Sequence, residues 1–313
     1  MGGWRGWPRA GPCGPLQYAL GGNPHHLETG EGSVEVRMSP RARLVAATLL
    51  LLVVPTTALA QSIVGILGIA SEIAPIEKRL QESREVSVRG YVFRVGTLDG
   101  QQVVIGRSGA GKVNAAIITT LLIGQFNPSA LLFSGTAGAV DPALNQGDVV
   151  IGATVAQHDV GLQTTDGVRR RGMRNAVTGD LDPLLVPAPE ALLEVARRSA
   201  SGLRLPPVRT ADGRDHTPRI VEGVIVTGDV FLADIARRGA LRDTLGATAI
   251  EMEGAAVVQT CRQFGVACLV IRSITDRADG QALISYEQFL ATASENAAAL
   301  VATIVANLRE GVR

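Results

Sequence analysis

Aromatic side chains are scarce, at 4% of 313 residues, and the formal net charge of +1 leaves no basic stripe. Nucleic-acid surfaces combine clustered cations with stacking faces, so a nucleic-acid partner is not expected, and a small molecule is the default ligand. Cysteine is scarce as well: Cys13, Cys261 and Cys268 are the full set. A disulfide-stapled miniature scaffold is therefore excluded. Cys261 and Cys268 fall among apolar residues and read as two buried thiols, with a disulfide between them as the alternative. The histidines are few and scattered. His158 and His216 stand apart from any cysteine, so neither a metal nor another cofactor is expected.

The first sixty residues do not read as fold. Residues 1–37 are rich in Gly, Pro, Trp and Arg without apolar periodicity, and such a segment buries too little surface to offset its chain entropy. They read as a disordered leader or as an upstream start. From Met38 the pattern changes: Arg41 and Arg43 precede an eleven-residue apolar stretch, Leu44 to Val54, and Ala58-Leu-Ala60 then offers a cleavage site ahead of Gln61. Residues 38–60 therefore read as a secretory signal peptide, with the mature protein periplasmic or secreted. An uncleaved anchor would need roughly 20 apolar residues, so no stable membrane anchor is expected in the mature chain.

Residues 61–313 are enough for one α/β domain with a substantial core. Apolar strands and amphipathic helices alternate. Strands are expected at 63–69, 86–95, 102–105, 130–134, 148–155, 221–227 and 268–274, with 86–95 and 102–105 forming a hairpin through Thr97-Leu-Asp-Gly100. Helices are expected at 71–81, 112–126, 190–199, 254–264 and 286–308, and the polar stretch 206–219 reads as a mobile loop. This order predicts a three-layer α/β/α domain around a central mixed sheet. Ligands of such sheets bind beyond the carboxyl ends of the strands. Five segments end strands in this way: Glu72, Ser108-Gly-Ala-Gly111, Gly135-Thr-Ala-Gly138, Thr227-Gly-Asp229 and Asp276.

Gly106-Arg-Ser-Gly-Ala-Gly-Lys112 has the glycine and lysine spacing of a phosphate-binding loop. Val113 occupies the place of the hydroxyl that would hold magnesium, and no apolar strand ending in an aspartate supplies a convincing second ligand. The segment reads instead as a glycine-rich turn that lets backbone approach a ligand or a neighbouring helix.

Glu251-Met-Glu253 and Ser273-Ile-Thr-Asp276 carry the chemistry best suited to a nucleoside: acids to grip a sugar diol and an acid to protonate a leaving base. With Gly65-Ile-Leu-Gly68, Glu72, Ser108 to Ala116, Ser134-Gly-Thr-Ala-Gly138, Gly147-Asp-Val-Val150 and Val226-Thr-Gly-Asp-Val-Phe231, the chain resembles the purine nucleoside phosphorylase and uridine phosphorylase superfamily. Within it, the resemblance is best to the 5′-methylthioadenosine/S-adenosylhomocysteine nucleosidases. It runs in order from about 63 to 309.

The resemblance implies that Asp276, beside Thr275, protonates or hydrogen-bonds the purine N7. It implies that Glu253 accepts the ribose hydroxyls with Met252 beside the sugar, and that Glu72 positions or deprotonates the attacking water. By the same resemblance, Phe231 and Leu232 flank the adenine, Ala137 and Gly138 line sugar and base, Tyr286 lies near the 5′ substituent, and the protein is a homodimer. Glu251 reads as structural. Phosphorolytic relatives commonly place an arginine two residues before the first glycine of the Gly-Thr/Ser-x-Gly segment; here that position is Phe133, which favours water over phosphate as the nucleophile. A phosphorylase, or an exported nucleoside-binding or storage-type protein, remains the alternative. The segment 164–174, with Arg169-Arg-Arg171, and the apparent insertion 206–219 depart from the family pattern.

Overall fold

The computed structural model describes residues 62–165 and 167–310, so the expected leader (1–37) and signal peptide (38–60) lie outside the described residues. The fold opens with β1 (Val64–Ile69), whose apolar residues are buried on both faces as a central parallel strand requires. There follow α1 (Ala70–Arg79), β2 (Gln81–Val88), β3 (Tyr91–Leu98), β4 (Gln101–Ser108), α2 (Lys112–Phe126), β5 (Ala130–Ala139) and β6 (Val149–Gln157). Two short strands, β7 (Gly161–Thr164) and β8 (Gly167–Arg170), pair as a hairpin. The chain continues through β9 (Val186–Pro187), α3 (Glu190–Gly202), β10 (Val208–Arg209), β11 (Asp215–His216), β12 (Ile220–Thr227), α4 (Ile235–Leu245) and β13 (Ala247–Glu251). It ends with α5 (Gly254–Phe264), β14 (Ala267–Asp276) and α6 (Ala282–Glu310).

The main sheet has the order β13-β12-β6-β14-β5-β1-β4-β3-β2, with β9 attached to β6. β5 pairs in parallel with β1 and β14, whereas β14 runs antiparallel to β6. β13 was not among the strands expected from sequence; it returns antiparallel onto β5 through Ala249–Ala139 and Ile250–Gly138. This pairing closes β5, β14, β6, β12 and β13 into a ring and draws the ends of β5, β13 and β14 together.

Side-chain alternation builds the layers. Ile66, Leu132 and Ile271 face one way, against Ile73 and Ile76 of α1, Leu192 and Leu193 of α3, and Leu300 and Ile304 of α6. Leu67, Leu131, Phe133 and Val270 face the other way, against Ile118 and Leu122 of α2 and Val257 and Val258 of α5. Much of α6 is buried between sheet and helices, so its long apolar run is a core helix of this domain.

Several expectations are corrected. The strand expected at 86–95 is two strands, because Arg89 and Gly90 (φ 53° and 87°) reverse the chain between β2 and β3. Asp99 and Gly100 (φ 49° and 79°) do the same between β3 and β4, where Asp-Gly announced the turn and Arg-Gly did not. α4 was missed because its apolar periodicity is weak, with only Leu241 and Leu245 buried. Its signals are at its ends: the Asp234 carboxylate caps the Ala236 and Arg237 amides, and Gly246 terminates it in the left-handed region.

Cys261 and Cys268 are joined as a disulfide, not held as two thiols. The short turn from α5 to β14 leaves their Cα atoms 6.2 Å apart, within bridging reach. The stretch 206–219, expected to be mobile, is tied down. β10 pairs with β11, Val208 is buried, and the carboxylate of fully buried Asp148 accepts hydrogen bonds from His216 Nε2 (2.6 Å) and the Arg219 amide (2.7 Å).

Candidate active site

Strand ends and helix starts converge on a cavity of about 240 Å³. β5 contributes Thr136, Ala137 and Gly138; β13 and the turn into α5 contribute Glu251, Met252 and Glu253; β14 contributes Thr275 and Asp276. α1 supplies Glu72, the segment after β12 supplies Phe231 and Leu232, and α6 supplies Tyr286. All ten residues singled out from sequence therefore line one space, across more than two hundred positions of chain.

Arg272 organises the acidic floor. It lies within β14, is fully buried, and its Nη2 is 2.5 Å from Glu251 Oε2 and 3.8 Å from Glu253 Oε2. Its guanidinium carbon sits 4.2 Å above the Phe133 ring, so the phenyl that stands at the phosphorolytic arginine position is the apolar bed of a different arginine. Nη1 has no hydrogen-bond partner. It approaches the place of a Gly135 Cβ, and the same hypothetical atom would fall 2.5 Å from Glu72 Oε2. Guanidinium and carboxylate thus converge over a glycine that must lack a side chain.

The two acids of β13 and its turn have different environments. Glu251 accepts from the Thr227 hydroxyl, the Glu253 amide (3.0 Å), the Gly254 amide (2.7 Å) and Arg272, so it caps α5 and is consumed by structure, as its sequence reading had it. Glu253 keeps one oxygen for the cavity while Oε1 accepts from the Gly111 amide at 2.7 Å. Burial, then the neighbouring Glu251 charge, pushes its carboxyl up to about 7. Glu72 accepts from Thr136 Oγ1 at 2.5 Å; burial raises its carboxyl, and the Arg272 charge opposes that rise.

Asp276 ends β14 where its register with β5 breaks. Its Oδ1 accepts from the Ala278 amide (2.8 Å), and Thr275 Oγ1 donates to Oδ2 (2.9 Å). Burial nevertheless raises its carboxyl above the ordinary aspartate value. A Cβ on Gly138 would stand 2.7 Å from Asp276 Oδ1, so glycine is what gives this acid its room. Opposite, Phe231 and Tyr286 meet edge to face with centroids 5.9 Å apart. Phe231 and Val230 are half exposed and Leu283 more so, which makes the mouth of the cavity apolar.

Sequence reasoning left Arg272 between a phosphate-binding cation and a structural one, and gave no role to Thr136 or the Gly111 amide. A lone arginine inside the apolar run Cys268 to Ile274 was the available signal, since an unpaired buried cation is too costly to keep. The partners of Thr136 and Gly111 are distant in the chain and had no local signature.

Comparison with known proteins agrees with this geometry. The sequence model of the Phosphorylase superfamily matches residues 62–306, and the chain belongs to that family. It is similar to the 5′-methylthioadenosine/S-adenosylhomocysteine nucleosidase of Psychromonas ingrahamii, 36% identical over 247 residues, covering 78% of this chain and 99% of that protein. Among solved structures it resembles the nucleosidase of that name from Neisseria meningitidis in complex with methylthio-immucillin-A (TM-score 0.66, 31% identity, 78% of this chain and 99% of the other). It also resembles the futalosine hydrolase of Helicobacter pylori (TM-score 0.65, 30% identity, 78% and 97% covered).

Proposed function

We propose that this chain is a nucleosidase that hydrolyses the N-glycosidic bond of an adenine nucleoside of the 5′-methylthioadenosine/S-adenosylhomocysteine type, releasing adenine and the free sugar. The observation that carries the choice of water over phosphate is the charge balance at the floor: Glu72, Glu251 and Glu253 surround a single guanidinium. A phosphate dianion would be set among three carboxyl groups sharing one buried guanidinium, whereas a water molecule meets a hydrogen-bond acceptor in Glu72, which lines the cavity.

The reaction follows from these placements. Adenine lies against Phe231 and Leu232, and the ribose diol donates to the free oxygen of Glu253 beside Met252, with Ala137 and Gly138 beneath sugar and base. The bond from C1′ to N9 breaks with its electron pair moving into the purine, and Asp276, whose protonated form burial favours, donates a proton at N7. The oxocarbenium-like sugar is stabilised by the surrounding carboxylates. Water adds to C1′ and gives its proton to Glu72, whose carboxylate form the Arg272 charge favours against the opposing effect of burial. Tyr286 and the apolar mouth receive the 5′ substituent.

Two further proposals concern the setting. The mature protein begins near Gln61 and is periplasmic or secreted; the disulfide supports this, since such bonds persist in oxidising compartments. The protein is a homodimer joined through α2 and α5, whose surface presents Val113, Ile117 and Phe264 to solvent. N-terminal sequencing of the exported protein and light scattering on it test these.

The activity is tested by incubating residues 61–313 with methylthioadenosine, S-adenosylhomocysteine, adenosine and inosine, with and without phosphate. Free adenine and free sugar in phosphate-free buffer are expected. Strict phosphate dependence with a sugar 1-phosphate product would overturn hydrolysis.

A further inference from the structure

The glycine-rich motif that ends in Lys112 finds its anions within the protein. α2 has no acid in its first turn and no side-chain cap from Gly111, so its amino end carries uncompensated amides. Two distant carboxylates fill the need: Glu253 takes the Gly111 amide at 2.7 Å, and Asp229 Oδ1 takes the Lys112 amide at 2.8 Å. The arrangement that elsewhere cradles a phosphate here joins the ribose acid and the start of the base-covering segment to one helix end.

The side chain of Lys112 closes the figure. Nζ lies 2.7 Å from Asp159 Oδ1 and 3.9 Å from Asp229 Oδ2, and the other oxygen of Asp159 accepts the Asp229 amide at 3.0 Å. Burial would raise the Asp159 carboxyl, but the Lys112 ammonium and the Asp229 amide outweigh it and hold it low, as expected of a committed ion pair. The segment is fixed just before this point as well. The Gly228 amide donates to Glu251 O at 3.1 Å, and Gly228 packs so closely on the His158 ring that no side chain fits there. Beyond Asp229, Val230 and Phe231 are half exposed. None of Lys112, Asp159 and Asp229 lines the cavity.

We propose that Lys112, Asp159 and Asp229 form a latch that holds residues 228–232 at a set distance from Glu253, so that base and ribose are gripped in register. Lys112 is a positioning residue, acting on substrate through Asp229 and Phe231. The inference rests on the reading of Phe231 as the face that covers the base. Loss of the latch lets the segment move while leaving Asp276, Glu72 and Arg272 in place, so it weakens binding of substrate and transition state alike.

The test uses Lys112→Met, Lys112→Arg and Asp159→Asn, read by amide hydrogen exchange and by steady-state kinetics on methylthioadenosine. In Lys112→Met and Asp159→Asn, exchange at 228–232 rises selectively, because the Asp229 amide loses its anchored acceptor. KM rises on the order of tenfold with kcat held within about threefold, and Lys112→Arg recovers most of the loss. Unchanged exchange at 228–232, exchange raised throughout the chain, or a fall in kcat without a rise in KM would each overturn the latch. Should Lys112→Met not fold, Asp159→Asn decides by the same readings. Should the wild type release no adenine, the proposed function fails, while the exchange data still judge the latch.

Discussion

Arg272 Nη2 lies 2.5 Å from Glu251 Oε2, inside the sheet and away from solvent. The pair ties together two strands whose ends reach the cavity: Glu251 ends β13 and caps α5, and Arg272 stands four residues before Asp276 on β14. Arg272→Met removes the one cation among three carboxylates. It is expected to destabilise the fold by about 3–5 kcal/mol, the range for breaking a buried pair from one side. Urea denaturation checks this; a loss below 1 kcal/mol would mean that the carboxylates simply take up protons.

Asp276→Asn keeps shape and hydrogen-bonding capacity but cannot give a proton to the base. Turnover is expected to fall by about 10²–10⁴-fold, with KM changed little. Release of adenine followed by chromatography, beside an unchanged melting curve, measures it. Full activity in the variant would remove Asp276 from the proton path.

Glu253 is raised to about 7, so it is neutral below that pH and an anion above it in the free enzyme. Only the anion offers both lone-pair sets to a diol, so kcat/KM should fall as pH drops through about 7. Glu253→Gln should lower the plateau and abolish this acid limb. An unaltered limb in the variant would assign the titration to another group.

Gly138→Ala places a methyl carbon 2.7 Å from Asp276 Oδ1 in a strand whose φ tolerates alanine. The fold should survive, because the conflict lies at the cavity edge, while kcat/KM falls by at least about tenfold through displacement of the acid. A crystal structure of the variant with Asp276 unmoved would contradict this.

The disulfide closes a short loop, and the chain-entropy estimate for a bridge of this span is about 2–3 kcal/mol. Reduction, or the pair Cys261→Ala and Cys268→Ala, should lower Tm by roughly 4–10 °C while leaving KM unchanged, since the bridge lies at the opposite ends of α5 and β14 from the cavity. Equal melting in oxidised and reduced samples would show that the bond adds nothing to the fold.

Local pattern made much of the molecule readable. Continuous apolar runs marked β1, β5, β6 and β14, because strands buried on both faces leave polar residues nowhere to point. Asp99-Gly100 marked its hairpin because that dipeptide accepts the left-handed turn cheaply. Glu72, Glu253 and Asp276 could be named because each stands where a strand or helix changes character, and the order of their motifs fixed the family. The turn at Arg89-Gly90 and helix α4 went unread because their stability comes from neighbours and end caps, not from periodicity. Whether Cys261 and Cys268 were thiols or a bridge depended on a distance between helix and strand. The closure of β13 onto β5, the counter-charge that Arg272 supplies, and the use of the amino end of α2 by Glu253 and Asp229 are contacts between residues up to 142 positions apart. Sequence specified which groups were present; only the folded chain decided which charge met which, because the energy of such contacts depends on distance and burial that no local pattern encodes.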